Sequence, residues 1–350
     1  MTRSSQSQGF AQMAPHVNAS RWLHPRPQGL YCSVGEFYID PHRPVDRAVI
    51  THGHSDHARA GHGHVLATPQ TLAIMAVRLG RQHAGGIQAL AYGEMIRIGD
   101  VALTLAPAGH VLGSAQVVME HDGCRVVVSG DYKRTADPTC EPFEVQRCDV
   151  FVTEATFGLP VFRHEPPDRE VARLLASLDR WSNRAHLVGV YGLGKCQRLL
   201  SLVRSQGYDR PIYLHGAMQS VTELYKTFGF DFGELRSATD MPAAHLAGAL
   251  VFCPPSTVAD RWSRRFGDPV RAVASGWMRI RARARQRGAD LPLIISDHAD
   301  WPELLQTIEE TGAEEIWVTH GREDALIHQV TAMGRRARAL ALIGFEDEAD

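Results

Sequence analysis

The chain of 350 residues is 44% hydrophobic and 22% charged, so it can bury a sizeable core as one large or two ordinary globular domains. This composition excludes the disordered and collagen-like classes. The 37 Lys and Arg nearly balance the 39 Asp and Glu, and the formal net charge of −2 excludes a uniformly basic coat for nucleic acid or an anionic membrane.

The N-terminal segment is polar and lacks the apolar region of a signal peptide. Residues 1–20 are rich in Gln and Ser and are expected to form a flexible tail. The six cysteines are scattered without a CxxC pair, which favours a reduced compartment. Because no stretch of about 18 apolar residues occurs, we expect a cytoplasmic protein without a membrane partner.

The first half of the chain has the pattern of a β-sheet structure. Between residues 30 and 152, short apolar or alternating runs are separated by turn residues, which predicts strands. The runs 95–98 and 101–105 are separated by Gly99-Asp100. A hairpin is expected where 116–121 joins 124–128, because Asp122-Gly123 tolerates the positive φ angles of a tight turn.

From about residue 165 the pattern changes to strands that alternate with helices, which predicts an α/β block. The predicted strand and helix pairs are 187–191 with 195–205, 212–214 with 218–228, 250–253 with 258–266, 293–296 with 302–310, and 315–319 with 324–333. A last strand is expected near residues 340–343.

The motif with the most specific chemistry is His52-Gly53-His54-Ser55-Asp56-His57, which directly follows a predicted strand. Imidazole and carboxylate groups suit zinc or another first-row divalent metal. Four side chains on six residues cannot readily enclose one ion, so they are more consistent with two neighbouring ions and with further ligands from elsewhere. The alternative is a solvated His-rich loop or an adventitious metal site.

Further ligand candidates occur where other predicted strands end. His110, Asp131 and His320 each follow an apolar run and adjoin glycine, as expected where a loop bends closely around a site. Each of them taken singly would more readily be a structural residue. Their combination with the first motif favours a metal site.

These residues occur in an order that resembles the metallo-β-lactamase superfamily, from about residue 30 to residue 344. The resemblance implies two divalent ions per chain, of which zinc is the first expectation and manganese or iron are alternatives. It implies that His52, His54 and His110 hold one ion. It implies that Asp56, His57 and His320 hold the other, with Asp131 as the bridge. Asp40 resembles the acidic residue that orients the metal loop from outside the ligand set.

A second set of residues resembles the β-CASP nucleases within that superfamily. It comprises Glu154, the strand and helix of residues 187–200, His298 and His320. The resemblance implies an α/β fold, with an αββα metallo-β-lactamase sandwich formed by residues 21–158 and 291–350. It implies an inserted α/β β-CASP cap domain at residues 159–290. It also implies that Glu154 orients His298, which protonates the leaving oxygen of a phosphodiester.

Such a reaction is chemically coherent, because two cations can bind a phosphodiester and activate water while an imidazole held by a carboxylate donates a proton. The implied catalytic residues are Asp56, Asp131, Glu154 and His298. The alternative for Glu154 and His298 is an ordinary buried pair.

The substrate-binding candidates depend on weaker patterns. Arg279, Arg281, Arg283, Arg285 and Arg287 alternate with other residues, and an extended chain would place all five guanidinium groups on one face for successive phosphates. A solvated charged face is the alternative. Lys195, in Gly192-Leu193-Gly194-Lys195, lacks the spacing of an ATP-binding loop but can hold a substrate phosphate. Trp277 can stack on a base or belong to the core.

The resemblance leaves two nucleic acids open. His320 at the last signature position is typical of RNA-processing members. The segment Ser296-Asp297-His298-Ala299-Asp300-Trp301 and the opening segment 29–52 look like bacterial ligase-associated DNA exonucleases, which are encoded beside an ATP-dependent DNA ligase and a helicase.

We therefore expect an exonuclease in DNA repair that acts on single-stranded DNA or on a free end, with an RNA-processing ribonuclease as the alternative. A small-molecule metallo-hydrolase and a noncatalytic scaffold are less consistent with the residues. The polarity and mode of cleavage and the oligomeric state stay open.

Overall fold

A computed structural model describes residues 18–340. The other residues of the expected tail and the expected strand beyond residue 340 lie outside the described residues. Residues 18–20 differ from the expectation of a frayed tail, because Asn18 caps a short 3-10 turn at Ala19–Arg21 and Ala19 is buried. The described residues include no helix that is both long enough and apolar enough to cross a membrane.

The strands are β1 (Leu23–Arg26), β2 (Gly29–Cys32), β3 (Phe37–Ile39), β4 (Arg47–Val49), β5 (His62–Ala67), β6 (Ala84–Ala89), β7 (Met95–Ile98), β8 (Val101–Pro107), β9 (Ala115–His121), β10 (Cys124–Val128), β11 (Val150–Ala155), β12 (His186–Gly189), β13 (Ile212–Leu214), β14 (Leu235–Ser237), β15 (Leu250–Cys253), β16 (Val270–Ala274), β17 (Leu291–Leu293), β18 (Glu315–Gly321) and β19 (Arg336–Ala339). The helices are α1 (Pro69–Leu79), α2 (Pro167–Arg180), α3 (Lys195–Ser205), α4 (Gly216–Thr227), α5 (Arg281–Gln286), α6 (Trp301–Thr311) and α7 (Glu323–Ala332).

Two of the three sheets pack face to face. The first contains β1 to β6 in sequential order, and the second has the order β19-β18-β11-β10-β9-β8-β7. Phe37 of the first sheet and Leu103 and Trp317 of the second belong to one buried cluster between them. Helix α1 packs on the outer face of the first sheet, and helices α6 and α7 pack on the outer face of the second. The order of layers is therefore helix, sheet, sheet, helix.

The third sheet is formed by the chain that leaves the second sheet after β11 and returns at β18. All its strands are parallel, in the order β14-β13-β15-β12-β16-β17. Helices α2, α3 and α4 share a large apolar cluster with one face of this sheet. Because β17 pairs with β16, the third sheet extends to Leu293, beyond the expected boundary at residue 290. We refer to residues 186–293 as the inserted unit.

The predicted hairpin is confirmed, and a further hairpin joins β7 to β8. Strands β7 and β8 are antiparallel, and so are β9 and β10, in which Cys124 faces His121 across a two-residue turn. The turn residues Asp122 and Gly123 have φ angles of 48° and 73°, as a primed turn requires.

Two element predictions within the inserted unit are wrong. Residues 258–266 do not form an α-helix, since the chain there has only short 3-10 turns at Pro255–Thr257 and Ser263–Phe266. The alternating arginines are not extended, because residues 281–286 form helix α5. Both errors come from local patterns that lack the length of a regular element, so tertiary packing decides their conformation.

The core prediction concerns Phe151 of strand β11, which is 0% exposed and packs against the layer formed by α6 and α7. Phe151→Ala should lower the free energy of unfolding by about 3–5 kcal/mol, because it leaves a cavity in a close-packed layer. Urea denaturation measures the change. Val145→Ala, at a residue that is 37% exposed, is the control and should change stability by no more than about 0.5 kcal/mol. Equal losses in the two variants would contradict the assigned packing.

Candidate metal centre

The predicted ligand residues meet at one edge of the two packed sheets. His110 follows β8, Asp131 follows β10, and His320 lies near the end of β18. Strands β8, β10, β11 and β18 run in the same direction, so the loops after them lie at the same edge of the second sheet. The loop of residues 52–57, after β4 of the first sheet, faces this edge. The fold therefore brings together residues that are far apart in the sequence.

The first ligand group consists of His52, His54, His110 and Asp131, all of them buried. His54 Nδ1 lies 3.1 Å from His52 Nε2 and 2.9 Å from His110 Nε2. Asp131 Oδ2 lies 3.5 Å from His52 Nε2 and 3.8 Å from His110 Nε2. Tetrahedral zinc with bonds of about 2.0–2.1 Å has ligand atoms about 3.3 Å apart, so this donor set fits a divalent cation.

The second ligand group surrounds His57. Its Nε2 lies 3.3 Å from Asp131 Oδ2 and 3.5 Å from Asp56 Oδ2. His320 Nδ1 lies 4.0 Å from Asp131 Oδ1. Asp56 Oδ1 is buried and, within the described part of the chain, has no hydrogen-bond partner. His57 belongs to two compact sets of ligand atoms. One set contains Asp131 and His320, and the other contains Asp56 and His52, so Asp56 and His320 do not share a set.

His320 reaches this position because strand β18 contains a bulge. Thr319 pairs with Glu154 and Gly321 pairs with Ala155, so His320 is the extra residue between them. Its φ angle is 58°, in the left-handed region that a non-glycine residue seldom adopts. The bulge directs the imidazole toward Asp131 and away from the regular alternation of the strand.

Hydrogen bonds on the outer side of the rings determine which nitrogen is available. Thr51 Oγ1 donates to Asp40 Oδ2 at 2.6 Å, so it accepts from His52 Nδ1 at 3.1 Å. Asp40 Oδ2 also accepts from His57 Nδ1 at 2.7 Å. His52 and His57 therefore carry their protons on Nδ1, and Nε2 of each presents a lone pair to the centre of the group. Asp40 thus contacts the His57 ring directly and the His52 ring through Thr51.

His54 and His110 are oriented by backbone carbonyl groups. His54 Nε2 donates to the Leu193 carbonyl at 3.1 Å, and His110 Nδ1 donates to the Asp297 carbonyl at 2.8 Å. A carbonyl oxygen only accepts, so the opposite nitrogen of each ring has the lone pair. All four rings thus direct inward the nitrogen that does not donate to an outer acceptor, which is the nitrogen that can bind a metal ion once it is unprotonated.

The pKa shifts agree with this assignment at His52, His54 and His110 but not at His57. Burial lowers the pKa of His52, His54 and His110, and it lowers the pKa of His320 to about 4, so these imidazoles are neutral at neutral pH. Burial also acts to lower the pKa of His57, but the nearby carboxylates of Asp131, Asp56 and Asp40 outweigh it and raise that pKa. The centre therefore attracts positive charge.

Glu154 and His298 form a buried pair beside the ligand groups. His298 Nδ1 donates to Glu154 Oε2 at 2.9 Å, and Glu154 Oε1 accepts from the Tyr132 backbone N–H at 2.7 Å. Glu154 is 0% exposed, and its burial raises the pKa of its carboxyl group. The His298 side chain is 12% exposed and lies 3.9 Å from Asp131 Oδ2. This pair can deliver a proton next to the cation-binding residues.

The predicted substrate-binding residues are placed differently from the expectation. In helix α5, successive residues point about 100° apart, so the arginines do not share one face. Arg283 lies over the ring of Trp277 at 3.9 Å. Trp277 is only 8% exposed and packs against Phe157 and Phe162, so the stacking of a base on it is not supported. Lys195 is 1% exposed, which places it inside the fold rather than on a phosphate-binding surface.

Three residues near the centre were not singled out from the sequence. Arg78 of helix α1 donates to the Gly53 carbonyl within the metal loop. Lys133 Nζ contacts the His110 carbonyl at 3.3 Å and Asp137 Oδ2 at 2.7 Å. Arg198 is 2% exposed and contacts Asp137 and Asp297. Only Arg198 carries a sequence signal, since it is a charged residue on the apolar side of a predicted helix.

No family model matches the chain. The chain is 30% identical over 318 residues to a probable DNA ligase of Opitutus terrae, a similarity that covers 89% of this chain and 30% of the ligase. It is 30% identical over 221 residues to a ribonuclease of Thermus thermophilus, covering 54% of this chain and 50% of the relative. An endoribonuclease of Neurospora crassa is 31% identical over 197 residues, covering 45% of this chain and 23% of the relative.

The chain therefore spans half or less of the length of these curated relatives. A solved structure of a protein of unknown function from Enterococcus faecalis is similar with a TM-score of 0.56 and 11% identity, covering 86% of this chain and 80% of that one. That likeness concerns the fold alone. The relatives and the buried His/Asp groups together support the resemblance to the metallo-β-lactamase superfamily and its β-CASP nucleases.

The role of Asp40 can be tested by Asp40→Asn. The amide cannot accept from Thr51 and His57 as the carboxylate does, so zinc affinity should fall about 10–100-fold. Metal analysis after dialysis against graded chelator concentrations measures the affinity. Asp46→Asn, which changes an exposed carboxylate directly before strand β4, should bind zinc as tightly as the unsubstituted protein. If both variants bind zinc equally tightly, Asp40 does not orient the ligands.

Proposed function

We propose that this protein is a metal-dependent nuclease that hydrolyses phosphodiester bonds of DNA. The observation that carries the proposal is the Glu154–His298 pair, held at 2.9 Å beside Asp131, which belongs to both ligand groups. A proton donor next to cation-binding carboxylate and imidazole groups suits a reaction in which an alkoxide leaves phosphorus.

The proposed cofactor is two divalent cations per chain, with zinc preferred and manganese or iron as alternatives. His52, His54 and His110 would hold one, and Asp56, His57 and His320 the other, with Asp131 between them. When bound, such cations stabilise negative charge on a phosphate group and lower the pKa of water.

The protein's own side chains would supply the remaining chemistry. Hydrolysis forms a bond from water oxygen to phosphorus and breaks the bond from phosphorus to the leaving sugar oxygen. His298 would donate a proton to that oxygen and later regain one from solvent. Glu154 would keep the His298 ring oriented through Nδ1, so that Nε2 is the donating atom.

We also propose the finer assignment of the fold. The layered pair of sheets would be an αββα metallo-β-lactamase sandwich, and the inserted unit would be the centre of a β-CASP cap domain. The C-terminal boundary of the expected cap, residues 159–290, would then lie after Leu293, because β17 belongs to the third sheet.

DNA is preferred as the substrate because the similarity to a probable DNA ligase covers 89% of this chain. We propose an exonuclease that acts on single-stranded DNA or a free end and works with an ATP-dependent DNA ligase and a helicase in repair. The second candidate is an RNA-processing ribonuclease, which the ribonuclease relatives favour. Arg279 and Arg281, both exposed, are the proposed contacts to backbone phosphates.

Substitutions of His298 and Asp131 should distinguish the residues needed for metal binding from the residue needed for proton transfer. His298→Ala should retain bound metal and lose about 10²–10⁴-fold in cleavage rate, because it removes the proton donor but no metal ligand. Asp131→Ala should lose both metal and cleavage. The exposed His328 provides the control, and His328→Ala should alter neither property. Full cleavage by His298→Ala would refute the general-acid assignment.

The substrate can be identified with single-stranded DNA and RNA of matched sequence, each labelled separately at the 5′ and 3′ ends. In the presence of zinc or manganese, we expect DNA products that shorten progressively from one end, with RNA cut at least tenfold more slowly. Denaturing gels resolve the products. Preferential cleavage of the RNA would favour the ribonuclease, and internal cuts in DNA would contradict the exonuclease mode.

A further inference from the structure

We propose that the inserted unit completes the metal centre through one short segment, residues 192–198. In this proposal the turn Gly192-Leu193-Gly194 positions His54, and Arg198 positions His110 through Asp297. The proposal rests on the proposed metal centre and not on the nuclease activity. It gives a structural role to the glycine-containing motif, which lacks the spacing of an ATP-binding loop.

The first link is the contact between His54 and the Leu193 carbonyl. These residues are 139 positions apart, yet His54 Nε2 lies 3.1 Å from the carbonyl oxygen and both groups are buried. Because the carbonyl only accepts, it keeps the proton on Nε2 and leaves Nδ1 for the ligand group. An imidazole whose outer nitrogen lacks such an acceptor can rotate or change tautomer, which weakens metal binding.

The turn that presents this carbonyl depends on Gly194. Its φ and ψ angles are 84° and −75°, a conformation that disfavours residues with a side chain. A Cβ atom at Gly194 would lie 2.2 Å from Val111 Cγ1, next to His110. The turn is also closed by the buried Gln197, which accepts from Gly194 N at 2.8 Å and donates to the Gly192 carbonyl at 3.1 Å. The turn is therefore packed directly on the loop that carries His110.

The second link runs through Arg198, in the first turn of helix α3. Its Nη1 donates to the Ser296 carbonyl at 2.5 Å and lies 3.3 Å from Asp297 Oδ1. The carbonyl of the same Asp297 accepts from His110 Nδ1 at 2.8 Å. Arg198 Nε also lies 3.5 Å from Asp137 Oδ2, so the guanidinium group joins the inserted unit to the loop after Asp131. Holding Asp297 in place therefore holds the outer acceptor of His110.

Both links reach the centre from one side. His52 and His57 are oriented by Asp40 and Thr51 of the first sheet, whereas His54 and His110 depend on acceptors outside the first sheet. Loss of the segment 192–198 would remove the acceptor of His54 and would release Asp297, whose carbonyl is the acceptor of His110, from Arg198. The affinity for metal should then fall, even though no ligand has been removed.

The first test compares Gly194→Ala with Gly207→Ala. Gly207 has a φ angle of 86°, but a Cβ atom there meets nothing within 4 Å, so the control places alanine at a similar φ angle without a clash. Zinc affinity is measured by competition with a chromogenic chelator, without nucleic acid, and folding is checked by circular dichroism of the metal-free protein. Gly194→Ala should bind zinc about 10–100-fold more weakly than Gly207→Ala. Equal affinities in the two folded variants would overturn the proposal.

A second variant covers the case in which Gly194→Ala does not fold. Arg198→Lys keeps the positive charge but loses the planar set of donors that reaches both Ser296 and Asp297. It should weaken zinc binding at least tenfold, and cobalt bound in place of zinc should show an altered visible spectrum. An unchanged affinity together with an unchanged spectrum would remove Arg198 from the proposal.

A further test uses the unsubstituted protein, so its result does not depend on whether a variant folds. With ¹⁵N-labelled histidine, NMR reports which ring nitrogen of His54 carries the proton, and the His54 signal is assigned by its loss in His54→Gln. We expect the proton on Nε2 in both the metal-free and the zinc-loaded protein. A proton on Nδ1 in the metal-free protein would overturn the role of Leu193. A protein that binds zinc as expected but cleaves no nucleic acid would refute the proposed function and leave this proposal supported.

Discussion

The metal centre depends on one constraint, namely that each clustered imidazole must donate its proton outward. Four rings meet around Asp131, and one nitrogen of each faces the cluster because the other nitrogen donates to a defined acceptor. Burial of three of these rings disfavours the charged form, which keeps them neutral and able to bind a metal. Without these outer acceptors, each buried ring could carry its proton on either nitrogen.

The fold satisfies this constraint from several directions. Strands β8, β10, β11 and β18 end at one edge of the second sheet, where the loops after β8 and β10 carry His110 and Asp131 and the ends of β11 and β18 carry Glu154 and His320. The first sheet supplies Asp40 and Thr51, and the inserted unit supplies the Leu193 carbonyl. The geometry of a centre assembled in this way depends on the correct packing of all three sheets in the described part of the chain. Residues remote from the candidate ligands in sequence therefore help to orient these side chains.

The surroundings of His298 illustrate how the core supports the site. Phe157 lies between the rings of Trp277 and His298, at 5.0 Å and 6.1 Å from them. Arg283 covers the opposite part of Trp277. The tryptophan and this arginine thus belong to packing behind the general-acid candidate, and only the exposed arginines of the same segment are available to a ligand in solution.

The sequence alone determined the types and the order of the candidate ligands and most regular elements, because strand and helix periodicity and strand-end His/Asp residues are local signals. Helix α3 and strands β13 and β15 have the predicted bounds. The tertiary structure decided what local signals cannot contain: the helical Arg281–Gln286 segment, the bulge at His320 and the acceptor from Leu193, which is 139 residues away from His54. These features depend on contacts between distant parts of the chain, and only packing of the complete fold selects them.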